Sequence, residues 1–163
     1  METYFKINDI KHPVTLYIED VKSLTAFCNT NQESRKMCST YDFWKSQFEQ
    51  YHLPITSMPN NVDDWIKLYA KTHQIMIDTD HIIKDQLTLK TIHDNISLNQ
   101  FADIDVPPAN QPINYVNIVK YGKSILIGFS YQWPHMITST IVSEDKARKV
   151  LYQWLFNNIV QLQ

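Results

Sequence analysis

Hydrophobic and polar positions in this chain follow two different periods. From Glu19 to Pro54 the apolar residues recur every three to four positions, the spacing of helices that bury one face. Val21, Leu24, Phe27 and Cys28 make the first such stripe, behind Glu19 and Asp20, whose charge suits a helix N-terminus. Asn29-Thr30-Asn31 breaks it, and Asn31 is placed to cap a second short helix ending at Met37 and Cys38. Ser39 or Thr40 then caps a third, with Phe43, Trp44, Phe48 and Tyr51 on its apolar face, closed by Leu53-Pro54. Cys28, Met37, Cys38 and Trp44 are expected to meet in one buried cluster.

The remaining segments follow in order. Val14 to Ile18 alternates, as a strand or an extended arm lying across the helices would. Asn60 or Asn61 caps a further helix with Val62, Trp65, Ile66, Tyr69 and Ala70 as its stripe, ending near His73. Residues 74–101 fit neither period cleanly; Ile75-Met76-Ile77 reads as a strand and Asp80 to His93 as a helix. Pro107, Pro108 and Pro112 mark residues 102–112 as a linker. Beyond it, 115–120, 124–131 and 136–142 read as strands, with turns at Tyr121-Gly122-Lys123 and Gln132 to His135. Connections this short require an antiparallel meander. Ser143 caps a last helix whose face, Val150, Leu151, Trp154, Leu155, Ile159 and Leu162, covers one side of the sheet.

The N-terminal series Leu24-x-x-Phe27-Cys28, Asn29-Thr30-Asn31, Arg35-x-Met37-Cys38, Phe43-Trp44 and Phe48 resembles the second half of an F-box. It is most similar to the divergent F-box-like proteins of large DNA viruses of amoebae, over about residues 14–51. The resemblance implies a helical module docking on a Skp-type adaptor of cullin ubiquitin ligases, with Ile10, Val14 and Leu16 on the adaptor side. Ile7 to Val14 stands where the family carries a Leu-Pro dipeptide and a longer apolar helix. The expected fold is α+β: an F-box-like helical module (1–54), a helical extension (55–101), the proline-rich linker (102–112), then the three-stranded meander with its covering helix (113–163).

Composition narrows the functional classes. Two glycines in 163 residues exclude a glycine-rich phosphate loop. A formal net charge of −2 offers no footprint for nucleic acid or an anionic membrane. No apolar run reaches the ~20 residues that span a bilayer. Cys28 and Cys38, without a secretory signal, are read as separate buried thiols of a cytoplasmic protein, in the host cytoplasm if it is viral.

Candidate chemistry is sparse. Asp78, Asp80 and His81 form the densest polar group; on an extended strand the two aspartates would share a side and suit a divalent ion, but a turn with a helix cap accounts for them better. No catalytic, cofactor-binding or metal-ligating residue is expected. Tyr131, Trp133 and His135, at the second turn of the meander, are the C-terminal candidates for partner contact, since aromatic side chains anchor interfaces. The alternative for Trp133 is packing beside Trp154. Two functions follow: a non-enzymatic protein-interaction adaptor that directs ubiquitin ligation, or a structural, virion-associated protein that keeps the helical fold without adaptor binding.

Overall fold

The computed structural model describes residues 20–91, 95–132, 134–158 and 160–162. It divides the chain into two units, Met1–Lys71 and Thr72–Gln163. Ile10, Val14 and Leu16 lie outside the described residues, as does the Val14–Ile18 segment.

In the first unit three short helices follow one another: α1 (Val21–Thr30), α2 (Gln32–Cys38) and α3 (Tyr41–Gln50). Each has a side-chain cap. Asp20 accepts from the Ser23 amide, Asn31 from the Ser34 amide at 2.9 Å, and Thr40 from the Phe43 amide. The break at Asn31 turns α2 back along α1, which brings Cys28 and Cys38 into a disulfide with their Cα atoms 5.7 Å apart. That overturns the reading of two separate thiols. The pairing depends on how two helices fold together, and the spacing of ten does not reveal it.

Trp44, fully buried, organises this unit. Its ring stacks on Trp65 with centroids 5.6 Å apart, meets Phe43 edge-on, and lies against Tyr69. Its indole N–H donates to the Cys38 carbonyl at 2.6 Å, a group that the end of α2 would otherwise leave unpaired. Of the expected cluster, Cys28, Cys38 and Trp44 meet and are sealed, whereas Met37 is only half-buried.

Helix α4 (Val62–Asp85) is a single element of 24 residues. This corrects the expectation of a helix ending near His73, a strand at Ile75–Ile77 and a second helix from Asp80. Asn61 caps it by accepting from the Asp64 amide at 2.9 Å. The buried stripe runs Val62, Trp65, Tyr69, Thr72, Thr79, Ile82 and Ile83, so two threonines hold core positions. Thr79 returns its hydroxyl to the Ile75 carbonyl at 2.7 Å, which lets a polar residue sit inside. The division between the units falls within this helix.

The second unit is α+β, as expected, but its sheet has five strands in the order β4-β3-β2-β1-β5. The strands are β1 (Thr88–Thr91), β2 (Tyr115–Tyr121), β3 (Ser124–Gln132), β4 (His135–Ser143) and β5 (Val160–Leu162). Every neighbouring pair is antiparallel. The β2-β3-β4 meander stands where the sequence placed it, with Gly122 at φ 63° in the first turn, a conformation that costs glycine least. Strands β1 and β5 were not foreseen. The last helix, α5 (Glu144–Asn157), is capped by Ser143 and stops before Val160, so Leu162 belongs to a strand and not to the helical face.

One face of this sheet forms the core: Leu89, Val116, Ile118, Ile125, Ile127 and Phe129 pack with Ala147, Val150, Leu151, Trp154 and Leu155 of α5. The segment between β1 and β2 joins that core. A 3-10 turn (Leu98–Phe101) buries Phe101 edge-on to Phe129 at 4.9 Å, and Ile104 and Ile113 are also buried. Within 102–112, Ile104 enters this core, and Val106 and Ala109 pack against it.

Candidate partner-binding surface

The register of the meander decides what lies on the second face. Val119 pairs with Leu126 and Leu126 with Ile141, so three apolar residues form a row across β2, β3 and β4. Tyr121, Met136 and Tyr115 belong to the same face. Val119 is 37% exposed, Met136 48%, Ile141 51% and Tyr121 65%. Apolar side chains contiguous on one face and open to water are the usual mark of a contact surface.

Between these residues lies a buried polar strip. Asn117 donates to the Ser130 hydroxyl at 3.0 Å and takes a bond from Thr88 at 3.2 Å. Met136 lies over Gly128, where any side chain would meet its sulfur. The methionine thus roofs the strip, and a flexible, polarizable group suits a surface that must adapt to a partner.

Of the residues anticipated from sequence, Tyr131 and His135 are exposed at the end of the β3-β4 hairpin, next to this face. The strand pairing is irregular there, between Phe129 and Gln132, and such bulges re-aim side chains at functional sites. The Tyr131 carbonyl accepts from Asn114 at 3.2 Å, which fixes the turn. Trp133 lies outside the described residues. Reasoning from sequence missed Val119, Leu126, Met136 and Ile141. The available signal was β4 itself, where apolar residues occupy both alternating sets, which a strand with one watery face does not require.

Other polar groups form local pairs. On the helix, Asp78 and Asp80 point apart: Asp78 accepts from Gln74, Asp80 from Arg148 at 2.7 Å, and His81 faces Asp85. Arg148 also meets Glu144 and Asp145; the hydrogen bond to Asp80 leads the effects that raise its pKa. Burial pushes the Tyr152 phenol up, against an opposing hydrogen bond from Thr72. Among the described residues no three His, Cys, Asp or Glu are grouped to hold a metal ion. A cleft of about 210 Å³ lies between the 3-10 turn and α5, lined by Asn99, Asp103, Gln153 and Asn157 among others. It is smaller than the roughly 300–1,000 Å³ typical of pockets for drug-sized ligands.

No family model, curated protein or solved structure matches the chain. No helix among the described residues is long and apolar enough to cross a membrane.

Proposed function

We propose that this chain is a non-enzymatic protein-interaction adaptor whose second unit captures a target protein. The observation that carries the reading is the open sheet face, where Val119, Leu126 and Ile141 form an apolar row beside Met136 and Tyr121. Tyr131 and His135 extend that surface at the hairpin end, where loops on a rigid scaffold carry binding, and Trp133, between them in sequence, is assigned to the same contact. The F-box-like resemblance of residues 14–51 supplies the other half: the first unit docks on a Skp-type adaptor through Ile10, Val14 and Leu16, and the target is delivered for ubiquitin ligation in the cytoplasm.

A second reading is favoured by the Cys28–Cys38 disulfide. Disulfides persist in oxidising surroundings and are rare where cullin ligases work. A stapled helical unit suits a structural, virion-associated component that retains the fold without adaptor binding.

Co-purification of the full chain with a purified Skp-type adaptor separates the two. The adaptor reading expects a stoichiometric complex that Val14→Asp abolishes. Absence of that complex, with the chain abundant in purified particles, assigns the structural role. For target capture, Trp133→Ala should weaken binding by about 2 kcal/mol or more with folding intact. A variant that melts early, with binding tracking the folded fraction, places Trp133 in the core instead.

A further inference from the structure

The two edges of the sheet are built differently. At one end stands β5, three residues long, and short edge strands are a common way to prevent edge-to-edge pairing. At the other end stands β4, nine residues long, with neighbour β3 on one side and, among the described residues, no backbone–backbone hydrogen bond on the other; the Thr138 hydroxyl donates to the Pro107 carbonyl at 2.9 Å. His135–Ser143 contains no Lys, Arg, Asp, Glu or Pro, the residues that usually protect an edge. Charge returns only at Glu144, inside α5. Beyond the irregular pairing at its start, β4 runs in regular register with β3 from Thr138 to Ser143, so its outer edge presents an even ladder of donors and acceptors.

We infer that this edge pairs with β4 of a second copy of the chain, antiparallel about a two-fold axis within Ser139–Ile141. The geometry is self-complementary. An uncharged strand meets its own copy without like-charge repulsion, and a two-fold contact uses the same patch on both sides. Pairing joins five strands from each copy into one continuous sheet. The row Val119-Leu126-Ile141 then continues into the same row of the second copy, because Ile141 lies at the edge end of it. On the core side, Thr140 and Val142 supply β-branched neighbours for the new pairing.

Sedimentation of the full chain over a broad concentration range tests the inference. A reversible monomer–dimer equilibrium is expected. Ile141→Lys should raise the dimer dissociation constant about tenfold or more, since it places two like charges on one face beside the axis. Ile141 is half-exposed, so the circular dichroism and melting temperature of that variant should match the parent. The position of the contact is read with cysteines placed singly at Ser139, Thr140 and Ile141. Both native cysteines are tied in the disulfide, so each introduced thiol is the sole free one. The residue on the axis should cross-link to itself under mild oxidation, because facing Cβ atoms of paired strands lie about 4.5–5.5 Å apart. Met58→Cys, on an exposed connector, should not. A chain that stays monomeric at every concentration overturns the proposal. So does a dimer that is indifferent to Ile141→Lys and cross-links at none of the three β4 positions.

Discussion

Removing the Trp44 ring should collapse the first unit's stability, and the size of the loss can be worked from its surroundings. The side chain is fully buried between Trp65, Phe43 and Tyr69, so Trp44→Ala opens a cavity that backbone on three helices cannot close. Truncations of this kind cost about 3–5 kcal/mol. The indole N–H adds a separable part. Trp44→Phe keeps most of the volume but strips the Cys38 carbonyl of its donor, and a buried group left unpaired costs about 1–3 kcal/mol. The expected order is therefore Trp44→Ala, then Trp44→Phe, then a control at exposed Met58, whose truncation should stay within about 0.5 kcal/mol. Urea unfolding followed by far-ultraviolet circular dichroism gives the totals. Amide hydrogen exchange in α3 tells whether the loss belongs to the first unit, because local opening reports local stability. A Trp44→Ala loss no larger than the Met58 control would refute the reasoning, as would a Trp44→Phe loss equal to that of Trp44→Ala.

Three further outcomes are expected. Replacing both Cys28 and Cys38 by serine should lower the stability of the first unit by about 3 kcal/mol, the entropy of closing a loop of this length, and a thermal melt unmoved by the change would contradict it. In acid, Asp20 and Asp64 should matter: hydrogen bonds from Ser23 lower the first and bonds from Asn61 and Lys67 lower the second. Their contribution is complete above the ordinary aspartate value of 3.8 and is lost as pH falls through the lower folded values, so Asp20→Asn with Asp64→Asn should flatten the acid limb of a stability–pH curve. Finally, Gly128→Ala should force Met136 off the polar strip, whereas in a Met136→Ala background the same change should be neutral or stabilising by about 0.5–1 kcal/mol; equal effects in both backgrounds would mean the methionine does not roof the glycine.

Local chemistry wrote much of this fold into the sequence. Asn31, Thr40, Asn61 and Ser143 each cap the helix they precede, because a short polar side chain can reach an amide two or three residues on whatever the rest of the chain does. The same holds for the Tyr121–Lys123 turn and the alternation of β2 to β4, which need only neighbours close in sequence. Where the reading failed, the deciding partner was remote. Helix α4 was cut short because Thr72 and Thr79 occupy its buried stripe, and only their surroundings make those hydroxyls tolerable inside. Strand β1 is four residues with no period of its own, and it exists because β2 and β5 pair with it. Residues 102–112 resemble a linker by their prolines, yet Ile104 finds a place in the core beside the sheet. The candidate surface belongs to the same class. Val119, Leu126 and Ile141 are 7 and 15 positions apart along the chain, and register alone sets them in a row. Period and capping act within a turn or two of the backbone, while register, strand order and disulfide partner are settled by segments that meet only when the chain has folded.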